Sequence, residues 1–480
     1  MKTIGDSLPR RFKAKASGAI TAGKPLIVEA DGDVTQVAAS AAAAGTAVVF
    51  ESANLADTST VYDSNAQKVV VVYNDAGNSY YGTAIVGTVD PSDNSISYGT
   101  AVVFESASTS PLTATFDSSN NKVVIAYNDG GNSSYGTGIV GTVSGTSISF
   151  GSATVFESAQ TVQISAAYDA NAGKVVVAYR DNGNSGYGTS IVGTVSGTSI
   201  SFGTAVVFES ASTEYTAIAY DSNAQKVVIA YEDDANSDYG TAIVGTVSGT
   251  SISFGSAAVF ESAAVEFTSV AYDANAQKVV IAYQDSGNSN YGTAVVGTVS
   301  GTSITFGSAV VFENGRADKI NAVYDSNAQQ VVIAYKDDDN SSKVTVVSGT
   351  VSGTSISFST PFVVEEGNSN EVSAAYDSNA NRTVMAYKDS DNSDYGTAVV
   401  FKNSSTNLTS ENYIGIAEYA ASDTATATVL VKGGVSTAQS SLTPGQAYFV
   451  QGDGTIGTSA GSPSVTAGTA VTSTKLIVKG

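Results

Sequence analysis

The chain has 480 residues with 22 Lys and Arg against 44 Asp and Glu, a formal charge of −22, and contains no His, Cys or Trp. Such acidity repels phosphate backbones and anionic lipid, which argues against nucleic acid as a partner and against membrane insertion. The absence of His and Cys removes the usual catalytic triads, zinc sites and disulfides, and the Val-, Ala-, Tyr- and Phe-rich apolar fraction favours strands over helices.

The N-terminus, MKTIGDSLPRRFKAKASG, carries Lys2, Arg10, Arg11, Lys13 and Lys15 ahead of an acidic body. No apolar stretch of about 7–15 residues follows these charges, so it does not read as a secretory signal. Either it is a solvated start, or it is an arm that docks on an acidic partner. Residues 18–40 then contain GAITAGKPLIVEADGDVTQVA, short apolar strands around a D-G turn.

From residue 45 the chain repeats. The anchor VVFES recurs with Phe50, Phe104, Phe156, Phe208, Phe260 and Phe312, and Val364 takes the seventh place; the spacings are 54 and then five times 52. The two extra residues lie in GTVDPSDNSISYG, where other copies read GTVSGTSISFG. Each unit reads as four short strands: A (TAVVFES), B (YTAIAYD), C (KVVIAYED) and D (GTAIVGTV). Turn chemistry separates them: DSNAQ between B and C, DxxNSxYG between C and D, and SGTS after D. Four antiparallel strands in about 50 residues is the propeller pattern. An open β-solenoid is the rival. The first A arrives without a preceding D and the last D leaves without a following A, so the two loose ends can close a ring. The expected fold is all-β, a seven-bladed β-propeller at 45–402. The segments 1–44 and 403–480 are expected to pair into one small β domain.

Alternation of strand direction puts the A–B and C–D connections on one face. There the sequence varies from copy to copy, whereas DSNAQ and SGTS on the other face hardly change. Seven residues after the VVF anchor stand Asp57, Pro111, Gln163, Tyr215, Phe267, Lys319 and Glu371. The residue before the C–D Asp also varies: Asn74, Asn128, Arg180, Glu232, Gln284, Lys336, Lys388. So does the residue before the second Tyr: Tyr80, Ser134, Gly186, Asp238, Asn290, Ser342, Asp394. Residues that read a partner must differ, although exposed loops also drift. The candidate ligand-binding residues are Asp57, Gln163, Tyr215, Phe267, Lys319, Glu371, Arg180, Lys336 and Lys388, and the candidate docking residues are Arg10, Arg11, Lys13 and Lys15. The chain enters the first A and leaves the last D on the uniform face, where the terminal domain is expected.

Catalysis would have to be carboxylate chemistry. The five Arg fall at non-equivalent places, the Asp-box SxDxGxTW is absent, and no unique acid pair stands out, so no catalytic residue is assigned. The Asp-rich loop YEDDANSDYG (Asp233, Asp234, Asn236, Asp238) could offer oxygens to Ca²⁺ but lacks the full EF-hand pattern. Asx-type turns, in which the Asp accepts from loop amides, are the preferred reading, and no cofactor is expected.

At the C-terminus, TNLTSENYIGIAEYAASDTATATVLVKGGV followed by SSLTPGQAYFVQGDGTIGTSAGSPSVTAGTAVTSTKLIVKG resembles the closing module of structural proteins from marine bacteriophages, among them tail-fibre-like and other virion-surface proteins. The resemblance covers about 75 residues closely. The VVIAYxDxxNSxYGTAIVGTVSGTSISFG repeat is similar to propeller-like repeats found with that module. The family implies a virion component facing outward, made in the host cytoplasm without a signal peptide. The expected function is host attachment through a cell-surface glycan or protein, with other virion proteins, and a homo-oligomeric state, on the partner side. An architectural capsid or tail decoration, and a glycan depolymerase, are the alternatives.

Overall fold

The computed structural model describes residues 10–461 and 463–479. Its contacts divide the chain into two compact units, one of 1–42 with 404–480 and one of 43–403. Ala43 and Ala44 pair with Lys402 and Phe401, which is why they belong to the repeat unit. Among the described residues no helix is long and apolar enough to cross a membrane.

The repeat unit is built of four-stranded antiparallel sheets. In the third copy the C strand Lys174–Asp181 lies between B, the second half of Thr154–Asp169, and D, Tyr187–Ser196. C is apolar without alternation because both its faces are covered: Val175 through Tyr179 are all fully buried. The fourth strand comes from the next copy. Ser199–Phe202 pairs with the far half of D, and the start of Val206–Asp221 pairs with the near half. The SISF strand is one the sequence reading placed inside a connection. In five copies the A–B connection is likewise no loop: A and B run as one 16-residue extended segment, such as Val206–Asp221, that crosses from the outside of one sheet to the inside of the next, whereas breaks separate Val102–Ser108 from Leu112–Asp117 and Phe362–Glu365 from Ser369–Asp377.

The turns follow from their residues. In SGTS the Gly stands at the first central position with φ near +60°, as at Gly145 and Gly197, which suits a two-residue hairpin of type II′. In the B–C turn Asp221 Oδ1 accepts from the Asn223 and Ala224 amides at 2.9 and 2.8 Å. In the C–D turn Asp75 Oδ1 accepts from the Asn78 amide at 3.1 Å, and Asp181 Oδ1 from Gly183 and Asn184 at 2.9 and 3.2 Å, so these aspartates do cap turns.

Neighbouring sheets are joined by recurring contacts, with Val364 in place of the Phe at the seventh junction. Phe156, on the outer strand of one sheet, meets Tyr179 of the next sheet with ring centroids 5.3 Å apart, and the Tyr179 hydroxyl donates to Glu157 at 3.1 Å. The buried hydroxyl thus keeps a partner it would lose at a cost of about 1–3 kcal/mol. The two ends of the array make these contacts with each other. The last D, Tyr395–Lys402, pairs with the first A (Thr397 opposite Val49, Ala398 opposite Val48). Phe50 then packs on Tyr73 at 5.3 Å, and Tyr73 donates to Glu51 at 3.0 Å.

In the terminal unit, Arg11–Lys15 pairs with Thr426–Leu430 and Pro25–Val28 pairs with Tyr413–Ala417, so both chain ends contribute to one five-stranded sheet. A second five-stranded sheet holds Ala447–Val450, Val465–Thr472 and Lys475–Val478. Ile27, Leu430, Tyr448, Val450 and Leu476 belong to the core that packs the two sheets.

Candidate functional site

The seven-residue count from the VVF anchor lands on one structural position: a bulge where the crossing segment becomes the inner strand. Pairing of B with C skips there, between Val162 and Ser165 and between Glu214 and Ala217. Gln163, Tyr215, Phe267, Lys319 and Glu371 all hold left-handed φ between 47° and 52°, a region disfavoured for side chains of that size. The bulge aims each side chain toward its neighbour in the next sheet.

These side chains touch in sequence. Gln163 Nε2 donates to Glu214 Oε2 at 2.7 Å, and Arg180 forms an ion pair with the same Glu214. The Tyr215 hydroxyl donates to Glu266 Oε2 at 3.3 Å, and its ring lies 5.3 Å from that of Phe267. Lys319 Nζ sits 5.4 Å from the Phe267 centroid and 3.0 Å from Glu371 Oε1. Asp57 Oδ2 accepts from the Leu112 amide at 3.1 Å. Tyr215, Phe267, Lys319 and Glu371 therefore form one connected stretch, Gln163 holds the Glu214 that precedes Tyr215, and Asp57 binds the Leu112 amide apart from them. Immediately beyond them a cavity of about 290 Å³ is lined by inner-strand residues that include Ser165, Thr216, Thr268, Asn321 and Ala374.

The candidates on strand C lie across the sheet from that stretch. Arg180 is opposite Val162, Lys336 opposite Asp318 and Lys388 opposite Asn370. Lys336 Nζ contacts Asp338 at 2.7 Å and Asp318 at 3.7 Å, while Lys388 Nζ lies 3.6 Å from Asp394. Glu214, Glu266 and Asp318 are site residues that the sequence reading passed over. Each immediately precedes a counted position, and counting six from the anchor Phe would have found the same diversity.

The docking candidates fall in the terminal unit. Arg11, Lys13 and Lys15 point outward from the edge strand Arg11–Lys15, where lysines oppose edge-to-edge pairing. Arg11 pairs with Glu418, and Lys15 Nζ with Asp33 at 2.6 Å. That pairing, and nearby acids, raise the Lys15 pKa. Arg10 and Arg11 line a cleft with Leu430, Gly434 and Val435. Lys2 lies outside the described residues. The segment from Arg11 to Lys15 is a strand of the sheet rather than a free arm.

Two carboxyls at or beside the stretch from Tyr215 to Glu371 are shifted upward. Burial, then the charge of Glu371, pushes Asp57 up to about 7, against the pull of the Leu112 amide and Lys319. Burial, then Asp238, Asp234 and Glu266, pushes Glu232 up to about 8. An unfolded Asp titrates near pH 4. As pH rises from about 4 to 7 the unfolded chain gives up that proton while folded Asp57 keeps it, so stability falls over this window and then levels off. Asp57→Asn keeps an acceptor for the Leu112 amide and cannot ionise. The variant is expected to match the parent near pH 4 and to exceed it by about 2 kcal/mol at pH 8, after allowance for partial exposure. Urea melts at both pH values measure this; a pH-independent difference would show that Asp57 ionises normally.

No family model and no curated protein matches the sequence. Among solved structures, the chain is similar to the BP39L lectin from Burkholderia pseudomallei, with a TM-score of 0.55, 11% identity, and coverage of 75% of this chain and 99% of that one. A protein of unknown function from Dyadobacter fermentans aligns with a TM-score of 0.46, 11% identity and the same coverages. The SapL1 lectin, in complex with alpha methyl fucoside, aligns with a TM-score of 0.38, 12% identity, and coverage of 58% and 87%. The BP39L likeness bears on fold: residues 43–403 form propeller-like, repeated four-stranded antiparallel units.

Proposed function

We propose that the repeat unit is a closed seven-bladed propeller that binds carbohydrate at the mouth lined by Gln163, Tyr215, Phe267, Lys319, Glu371 and Asp57. We propose further that it serves host attachment on a phage virion surface, carried there by the terminal β unit, and that it binds its glycan without cleaving it. Pairing of the last D with the first A supports closure. The observation that carries the binding reading is the adjacency of the varied side chains. Four positions spaced about 52 residues apart in the chain, Tyr215, Phe267, Lys319 and Glu371, form one connected polar and aromatic surface beside a cavity. An aromatic pair flanked by carboxylates and a lysine suits a sugar, whose C–H face stacks while its hydroxyls bond the rim. The attachment role rests on the C-terminal resemblance and on the lectin character of the BP39L neighbour.

The test is binding of the full chain to a glycan array and to host cells. Tyr215→Ala and Phe267→Ala are each expected to weaken binding at least tenfold, about 1.4 kcal/mol or more, with melting little changed. Undiminished binding by both variants would move the site elsewhere. Absence of binding to any glycan or cell by the folded parent would favour an architectural role.

A further inference from the structure

The cavity of about 290 Å³ beyond the varied side chains is walled by the inner B strands of the third to seventh repeats, and every residue that lines it is uncharged. Two positions after the counted one, six of the seven inner strands carry a polar side chain: Ser59, Thr113, Ser165, Ser269, Asn321 and Ser373. At three of these the side chain accepts from an amide of the following repeat's inner strand. Ser59 Oγ accepts from Ala114 at 3.0 Å, Ser269 Oγ from Ala322 at 2.9 Å, and Asn321 Oδ1 from Ala374 at 3.1 Å. An inner strand is bonded to strand C on one side only, so every second amide points away from its own sheet and needs an acceptor from elsewhere.

The fourth repeat departs from this arrangement. It carries Ala217, the one residue of the seven with no side-chain oxygen or nitrogen. Val270 of the fifth repeat stands opposite Ile281 just as Ala322 stands opposite Ile333. Its amide therefore takes the same direction, toward the Ala217 methyl, which accepts nothing. Beside it Thr216, 8% exposed, has a buried hydroxyl with no hydrogen-bond partner. Its counterpart in the next repeat, Thr268, gives its hydroxyl to the Tyr215 carbonyl; Thr216 has no such acceptor. Thr216, Ala217, Ile218 and Val270 all line the cavity. This part of the wall holds donors without acceptors, methyl groups between them, and no charge.

We infer that the cavity is a subsite for an acetamido group, and that the ligand is an N-acetylated amino sugar. The acetamido carbonyl accepts from the Thr216 hydroxyl and the Val270 amide, and its methyl lies on Ala217 and Ile218. The inference rests on the carbohydrate-binding reading above and narrows it. A carbonyl oxygen offers two lone pairs to two donors, and the group adds a methyl and no charge. A sugar hydroxyl brings an acceptor without the methyl. A carboxylate would be desolvated with no cation on the wall, and an ammonium would set donors against donors.

The experiment measures binding of the full chain, by calorimetry at pH 7, to N-acetylglucosamine, glucosamine and glucose tetramers of one linkage, and to the matching galacto series. In the series that the mouth accepts, the N-acetylated sugar is expected to bind at least tenfold more tightly than either counterpart. Ala217→Ser supplies Val270 with the oxygen that Ser269 gives to Ala322. It is expected to remove most of that preference without lowering the melting temperature. Thr216→Val, which removes the hydroxyl and nearly keeps the shape, is expected to reduce the preference as well. Ser59→Ala, at the same position of an inner strand that does not line the cavity, is expected to keep it. Equal binding of the N-acetylated and hydroxyl forms overturns the inference, and so does a preference that survives both Ala217→Ser and Thr216→Val. If the parent binds glycans at the mouth without regard to the acetamido group, only this inference falls; if it binds no glycan at all, the functional reading falls with it.

Discussion

Oxidation of a chain carrying Val48→Cys and Ala398→Cys is expected to raise its stability by roughly 3–5 kcal/mol over the reduced form. The two residues are direct partners where the first A strand meets the last D. Their cross-link would close a loop of about 350 residues, and the chain-entropy contribution grows with the logarithm of that length. Strain in the pair lowers the gain. The parent has no cysteine, so no other disulfide competes. Contacts beyond the strand pair lead to the same expectation. Ser373 of the last inner strand bonds Thr60 of the first at 2.8 Å, much as Ser59 accepts from the Ala114 amide at 3.0 Å one sheet later. Arg382 Nε donates to Asn94 Oδ1 at 2.5 Å and its Nη2 to the Pro91 carbonyl at 2.7 Å. Thiol titration and urea melts with and without reductant check the result. Two thiols that stay free under oxidant, or oxidised and reduced chains that melt alike, would mean that the ends do not meet.

Gly203→Ala is expected to cost about 3 kcal/mol and to lower the yield of folded protein. A Cβ on Gly203 would stand 1.8 Å from the carbonyl oxygen of Thr250 in the next repeat, and of the other atoms it meets, the Thr250 carbonyl carbon and Cβ, neither is a flexible side-chain end that could give way. The same approach recurs at Gly99, Gly151, Gly255 and Gly307, and Gly45 makes it against Asn94. The seventh place is held by Ser359. There the following D runs to Lys402 and no SGT hairpin succeeds it, so nothing demands a glycine; the Ser359 hydroxyl instead accepts from the Ser348 amide at 3.1 Å. Ser359→Gly is the matched control, expected to cost about 1 kcal/mol for the lost hydrogen bond and added chain entropy. Guanidinium or urea melts of the two variants give the comparison. A Gly203→Ala chain as stable as the control would show that successive repeats are not packed this closely.

Other departures from the repeat have similar explanations. Phe401 replaces the D-strand Gly represented by Gly245, where a Cβ would strike Ile252 of the outer hairpin at 2.6 Å. The last repeat lacks that hairpin, and Phe401 fills the space, fully buried, with its ring 5.5 Å from Phe362. The two-residue insertion in the first repeat supplies Pro91 and Asn94, and Arg382, which like Gln330 replaces the Lys that opens strand C in the other repeats, reaches them.

The sequence by itself determined the repeat, its B, C and D strands, its turns, and which face varies. All of these are local properties: β-branched runs buried on two sides, Asp and Gly at fixed offsets, and a count from a recurring Phe. It did not determine where strand A belongs. A and B read as consecutive strands of one unit, yet A completes the sheet of the preceding copy, because its pairing with D is a contact between repeats that local pattern does not encode. The SISF strand was missed for the same reason, since four residues after a tight turn read as a connection until a partner strand is present. The surroundings of Glu232 were equally invisible: a Glu at a varied strand position is ordinary in a list. Only the tertiary structure placed it where six other repeats put a donor, nine-tenths buried, with acids for neighbours. Periodicity fixes which residues share a position; what each side chain meets there depends on the residue the next repeat brings against it.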